Sequence, residues 1–207
     1  MSLWGRAFAA GYDRFMASTE EAGLRQRRAE LLRQARGRVL ELGAGTGANI
    51  VHYPADIDEL VLSEPEEPMA QRLERRLAAT GRRGRVVRAP AEALPFPDGS
   101  FDTVVCTLVL CTVRDQQSAL AEVARVLAPG GQLLFLEHVR ADEPRVARWQ
   151  DRITPVWRRI GHGCHPNRST LQAIQAAGFS VAESARGEMP KAPSVFRPLD
   201  TGRAIVP

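Results

Sequence analysis

The chain has 207 residues, a net charge of +4, 44% hydrophobic residues and 25% charged ones. That length supports one domain with a full core, and the balance is ordinary for a soluble globular protein. The basic residues are arginines except Lys191, and no dense basic block interleaves with aromatics, so the charge reads as a solvated surface and nucleic acid is excluded as a partner. Three cysteines, Cys106, Cys111 and Cys164, lack metal-type spacing; reduced thiols in a cytoplasmic protein and no metal site are expected. No signal peptide and no apolar run of spanning length stand out, so no stable membrane insertion is expected.

Residues 1–36 carry Trp4, Phe8, Tyr12, Phe15 and Met16, then an arginine-rich stretch with Leu24, Leu31 and Leu32 on one helical face. This predicts a leading helix pair over the open end of a sheet. Tyr12, Phe15 and Met16 either help close a lid over a substrate or pack as core.

Val39 to Leu42 reads as a buried strand that runs into Gly43, Gly45 and Gly47. Glycines at alternate positions allow a turn that side chains forbid and let a ligand lie on the main chain. A helix is expected next, running to Tyr53 and stopped by Pro54, with free N–H groups and a positive dipole end at its start. Glu41, two residues before the first glycine, can take charge-assisted hydrogen bonds from a cationic ligand group. Glu59 to Ser63 is the second strand. It ends at Glu64, about 20 residues past the first glycine, where an acidic side chain can accept both ribose hydroxyls of an adenosine or simply face solvent. Pro65 and Pro68 stiffen this corner, and Met69 opens a helix from Pro68 to Ala79.

Gly84 to Arg88 is the third strand, Asp98-Gly99 a turn, and Phe101 to Cys106 the fourth strand, with its ligand-facing end at Thr107 and Leu108. Thr107-Leu-Val-Leu110 makes an apolar floor that suits a small substrate better than a flipped base. Asp115 caps a helix whose apolar face holds Leu120, Val123, Ala124 and Leu127. Ala128-Pro-Gly-Gly131 turns into strand five, Gln132 to Glu137. His138, at its carboxyl end, is either a general base or a hydrogen-bonded structural histidine.

Trp149, Ile153, Val156, Trp157 and Ile160 form an amphipathic stretch expected to break at Pro155, followed by Gly161-His-Gly-Cys-His165. A helix from Asn167 or Ser169 to Ala177 is capped by Gly178. Phe179 to Ser184 is strand six, Arg203 to Val206 strand seven, and residues 187–200 between them a rigid loop with three prolines.

Taken together, Glu41-x-Gly-x-Gly-x-Gly47, Glu64, Ala91-Glu-x-Leu-Pro-Phe96, Ser100-Phe-Asp102 and Arg125-Val-Leu-x-Pro-Gly-Gly131 resemble the motifs of class I S-adenosylmethionine-dependent methyltransferases. Gly47-Ala-Asn49, Cys106-Thr-Leu-Val-Leu-Cys-Thr-Val113, Glu137-His-Val139 and Gly163-Cys164 look like the thiol S-methyltransferase branch. Its animal members carry an amino-terminal membrane anchor that is not seen here. The resemblance implies an α/β, Rossmann-like seven-stranded sheet, mostly parallel with the last strand antiparallel and helices on both faces. It implies one domain over 1–207: a helical lid (1–36), a cofactor-binding half (37–138) and a substrate-side half (139–207).

The implied cofactor is S-adenosyl-L-methionine, with S-adenosyl-L-homocysteine as product and a small-molecule methyl acceptor. Glu41 would anchor the cofactor's ammonium, and Gly43, Ala44, Gly45, Gly47 and Asn49 would cradle it. Glu64 and Pro65 would take the ribose, and Met69 would pack on the adenine. The family's usual adenine-contacting Asp is Pro90 here, which leaves the Ala91 backbone and Glu92 for the adenine edge, with Thr107 and Leu108 beneath. Tyr12, Phe15, Trp149, Trp157 and His165 would line the acceptor side. A thiolate acceptor needs no base, whereas an oxygen or nitrogen acceptor would use His138. Phospholipid N-methylation, quinone-type C-methylation, cofactor binding without catalysis, and nicotinamide-dependent oxidoreduction are the competing readings.

Overall fold

The computed structural model describes residues 3–206, with side chains placed for Ala9 and from Gly11 onward; the Trp4 and Phe8 side chains lie outside the described residues. Five parallel strands are built from short runs of aliphatic residues, as expected of strands buried on both faces. These are β1 (Arg38–Leu42), β2 (Glu59–Ser63), β3 (Arg85–Val87), β4 (Phe101–Thr107) and β5 (Leu127–His138). Two further strands, β6 (Ser180–Glu188) and β7 (Pro198–Ile205), complete one seven-stranded sheet of order β3-β2-β1-β4-β5-β7-β6. β7 runs antiparallel to both β5 and β6, so the expectation of a single reversed last strand holds.

The helices lie on both faces. They are α1 (Leu3–Thr19), α2 (Arg25–Leu32), α3 (Glu67–Thr80), α4 (Gln116–Val126), α5 (Pro144–Ile160) and α6 (Thr170–Ala176). Alternation along β5 feeds a separate core on each face. Leu133 and Phe135 pack with Leu120 and Val123 of α4 and Ile174 of α6. Leu134 and Leu136 pack with Leu31 and Leu32 of α2 and Leu73 and Leu77 of α3. Asp115 caps α4 as expected, its side chain accepting the Gln117 N–H at 3.0 Å.

Four expectations are corrected. The helix after the glycine turn is only a 3₁₀ turn, Ile50–His52, because Tyr53 precedes Pro54 and takes an extended backbone instead of a helical one. So no long helix dipole points at the turn. β5 begins earlier than Gln132: Phe101 pairs with Leu127, and Thr103 then pairs with Gln132 across a bulge that absorbs Pro129-Gly-Gly131. The supposed 187–200 loop is shorter than expected, because its two ends are sheet: β6 and β7 pair from Ser180↔Ile205 to Glu188↔Pro198, which leaves 189–197 as the connection. And α5 passes through Pro155 unbroken, with Thr154 Oγ1 bonding the Gln150 carbonyl at 2.6 Å.

Of the leading helices, α2 packs Leu31 and Leu32 on a face of the sheet, and α1 reaches the glycine turn. α1 and α2 join through a five-residue π-helical turn, Glu20–Leu24, in which Gly23 adopts φ 134°. Asp13 of α1 accepts a 2.5 Å hydrogen bond from the Thr46 hydroxyl in the glycine turn.

Candidate functional site

The three glycines adopt φ 52°, 58° and 85°, all in the left-handed region. A Cβ on Gly43 would lie 2.8 Å from Val109, and one on Gly47 2.6 Å from Ile50. At Gly45 the nearest atom to such a Cβ is the Gly43 carbonyl oxygen at 3.9 Å. Gly43 and Gly47 are therefore packing glycines, while Gly45 is the position where a ligand can approach bare backbone. Ala44 ties the turn to β2 by donating its N–H to the Ser63 carbonyl at 2.9 Å. Glu64, buried at the end of β2, accepts the Gly45 N–H at one carboxylate oxygen and the Glu66 N–H at the other, both at 2.9 Å. Burial pushes its carboxyl up from the ordinary value, while those two N–H groups oppose the shift.

Beneath the turn lies a polar network. Glu41 accepts from Asn49 Nδ2 at 2.8 Å and from the Tyr53 hydroxyl at 2.7 Å. Asn49 Nδ2 also reaches Thr107 Oγ1 at 2.9 Å. Arg28, only 4% exposed, donates from Nη1 to Asn49 Oδ1 at 3.1 Å and to Thr107 Oγ1 at 2.8 Å, and from Nε to Glu20 at 3.0 Å. Sequence reasoning missed Arg28 and Tyr53; among so many arginines, nothing local marks the one that turns inward. Glu41 thus braces the turn with both oxygens.

Burial raises the Glu41 pKa from 4.5 to about 7, against the opposing pull of its Tyr53 and Asn49 hydrogen bonds and of Arg28. A raised carboxyl means that the folded state holds the proton more tightly than the unfolded one. Its contribution is complete below the unfolded value and is lost as pH rises through about 7, some ~3 kcal/mol in all. Glu41→Gln should flatten that part of the pH dependence of the urea midpoint; an unchanged slope would show that Glu41 titrates normally.

The ligand-facing end of β4 is strained. Leu108 adopts φ 61°, unusual for a leucine. Glu137 of β5, wholly buried, holds the strained segment by accepting three successive N–H groups. Val109 and Leu110 bond one oxygen at 2.9 Å each, and Cys111 bonds the other at 3.2 Å. Such a run of N–H groups around one anion is a nest. The sequence showed Glu137 only as part of a motif.

On the adenine side Met69 and Ala91 are buried and Pro65 is exposed. Glu92 accepts the Arg114 N–H at 2.7 Å, so it fixes the loop after β4. The acceptor-side residues do not all converge. Phe15 is 70% exposed, and Trp149 is 56% exposed with the Arg152 guanidinium 5.7 Å from its ring centroid. Tyr12 is half-buried against the core of Leu24 and Leu32, and burial pushes its hydroxyl up to about 12. Trp157 packs on Phe196 with ring centroids 4.2 Å apart. His165 donates its backbone N–H to the Cys111 carbonyl at 2.7 Å, and its Nδ1 is buried without a hydrogen-bond partner.

His138 meets sulfur on both ring nitrogens: Nε2 lies 3.2 Å from Met189 Sδ and Nδ1 3.9 Å from Cys164 Sγ. Cys164 Sγ lies 4.0 Å from Cys111 Sγ. The pair divides its acidity. The Cys111 thiol, with help from His138 and Trp157, holds Cys164 below the ordinary thiol value, while Cys111 is pushed above it. Gln150 of α5 secures this region, with Nε2 at 3.2 Å from the Val139 carbonyl and 3.0 Å from that of Pro166.

These residues fit S-adenosylmethionine. Bare backbone at Gly45, a buried acid at Glu64 beside it, and the apolar Met69 and Ala91 beyond supply contacts for an amino acid–sugar–base ligand without a pyrophosphate. Residues 40–135 match the family described as Methyltransferase domain. Thiol S-methyltransferase TMT1B of Rattus norvegicus is 40% identical over 151 residues, 70% of this chain and 61% of that protein. Thiol S-methyltransferase TMT1B of Homo sapiens is 39% identical over 171 residues, 81% of this chain and 70% of that protein. The chain thus spans about three-fifths to seven-tenths of the length of these relatives. Among solved structures, an S-adenosylmethionine-dependent methyltransferase from Thermotoga maritima superposes with a TM-score of 0.71 at 24% identity, over 100% of both chains. Among the described residues, no helix is long and apolar enough to cross a membrane. By its glycine turn, its acidic strand end, its sheet order and these relatives, the chain belongs to the class I S-adenosylmethionine-dependent methyltransferases.

Proposed function

We propose that this protein transfers the methyl group of S-adenosylmethionine to the sulfur of a small thiol, in the cytoplasm. The observation that carries the reading is the likeness to thiol S-methyltransferases over 81% of the chain. The site is consistent with it. A thiolate needs no general base, and the ring nitrogens of His138 face Met189 and Cys164 and offer no such base in the open.

Bound at the glycine turn, the cofactor supplies a methyl group already activated by its sulfonium. The chain's part is placement. Gly45 gives the backbone surface, Glu64 holds the ribose hydroxyls, and Glu41 keeps the turn in shape through Asn49 and Tyr53. Met69, Ala91 and Leu108 exclude water from the adenine and the methyl. Residues 1–36 cover the site, 37–138 hold the cofactor, and 139–207 receive the acceptor. Orienting the pair for in-line attack is worth ~7–11 kcal/mol of barrier.

The test is homocysteine-nucleoside formation with mercaptoethanol, ethanolamine and hydroquinone in parallel. Product with mercaptoethanol alone is expected. Turnover with ethanolamine or hydroquinone but not the thiol would replace this reading with N-, O- or C-methylation, told apart by the mass spectrum of the methylated product. Tight cofactor binding with no turnover on any of the three would point to a binding protein.

A further inference from the structure

Three soft donors from separate parts of the chain meet beside the acceptor end of the sheet. Cys111 follows β4, His138 ends β5, and Cys164 sits in the loop after α5. One ligand atom from each falls within 4.8 Å of the others. We propose that Cys111, His138 and Cys164 bind zinc, leaving a fourth position for the acceptor thiol.

The spacing is near what the metal needs. Zinc takes sulfur at about 2.3 Å and imidazole nitrogen at about 2.0–2.1 Å, so tetrahedral ligand atoms lie roughly 3.5–3.8 Å apart. Here Cys164 Sγ is 4.0 Å from Cys111 Sγ and 3.9 Å from His138 Nδ1. These two separations exceed the tetrahedral values by a few tenths of an ångström, and the third pair lies within 4.8 Å.

The backbone already holds the donors in place. Glu137 fixes the Cys111 N–H at 3.2 Å, and the Cys111 carbonyl takes the His165 N–H at 2.7 Å. The loop that delivers Cys164 is tightly wound, with His162 at φ 53° and Gly163 at φ 88°. A side chain on Gly163 would meet the Thr112 carbonyl oxygen at 2.9 Å. Met189 Sδ, 3.2 Å from His138 Nε2, favours the tautomer with the proton there, which leaves the Nδ1 lone pair toward the cysteines. Both cysteines are buried and free of disulfides.

Two thiolates and an imidazole select a soft or borderline ion over magnesium or calcium. Three protein ligands with one position left over is the arrangement of catalytic zinc sites, and a thiol that coordinates zinc loses its proton. The identity of the fourth ligand rests on the thiol-acceptor reading above; the three-residue site does not.

Cobalt(II) replaces zinc as the probe in the full chain. The expected result is a tetrahedral visible spectrum with thiolate-to-cobalt charge-transfer bands at one ion per chain. Those bands should vanish in Cys164→Ser and weaken strongly in His138→Gln. Both variants should keep wild-type circular dichroism and calorimetric S-adenosylmethionine binding, which certifies that they fold. Wild-type protein that takes up no cobalt or zinc while all its thiols react with a thiol reagent overturns the site, as does a Cys111–Cys164 disulfide in protein purified without reductant. Mercaptoethanol should shift the cobalt bands; unshifted bands overturn the fourth-ligand assignment alone. Methyl transfer to thiols by metal-free protein at the full rate would overturn the fourth-ligand assignment and leave the thiol reading standing.

Discussion

Glu64→Ala should lower S-adenosylmethionine affinity roughly 100-fold or more. A carboxylate that takes both ribose hydroxyls makes two charge-assisted hydrogen bonds, each worth about 1.5 kcal/mol or more, and ~3 kcal/mol is a hundredfold in Kd. The loss does not stop at the ribose. Glu64 also accepts the Gly45 N–H, so its removal frees the stretch of backbone on which the cofactor lies. Glu64→Gln keeps the shape and one acceptor oxygen, so it should fall between wild type and Ala. Calorimetric titration with S-adenosylmethionine and S-adenosylhomocysteine reads this directly, with NADH as the ligand expected to give no heat. Wild-type affinity in Glu64→Ala would withdraw the ribose assignment.

Glu137→Ala should destabilise the protein by about 4 kcal/mol, a large share of the ~5–15 kcal/mol that holds a domain together. The substitution strands the N–H groups of Val109, Leu110 and Cys111 in a buried place, and each unsatisfied donor there costs about 1–3 kcal/mol. It also removes what holds Leu108 at φ 61°. Glu137→Gln should cost about half as much. Its remaining oxygen serves Val109 and Leu110, while its amide NH₂ confronts the Cys111 N–H. Urea unfolding measures both variants. A Glu137→Ala protein as stable as wild type would mean that the nest is not what holds the end of β4.

The parts of this molecule that were legible in the sequence are the local ones. β1, the glycine turn and the Asp115 cap depend on residues a few positions apart, and each appears where its pattern places it; Glu64, read from the end of a strand, does follow β2 directly. The polar network beneath the turn was not legible. Arg28 and Thr107 are 79 positions apart, and no local pattern selects one buried arginine among many surface ones. Tyr53 was read as the end of a helix, but its hydroxyl is committed to Glu41 and its backbone to Pro54. The orientation of two aromatic residues assigned to the acceptor side, Phe15 and Trp149, was not legible for a related reason. Helical spacing shows that residues share a face but not which way the face looks, so Phe15 and Trp149 point outward. The Cys111–His138–Cys164 cluster escaped notice because it joins three segments, and spacing rules see only ligands close together in one.

The alternation in β5 makes this strand the least editable part of the chain. Its even and odd residues supply opposite cores, and its last two carry Glu137 and His138 to the site. Losing one residue between Gln132 and Leu136 would send Phe135 and Leu134 to each other's side and pull Glu137 off its nest. Related sequences should therefore hold a fixed reading frame through β5, because there a single deletion costs both the packing and the chemistry.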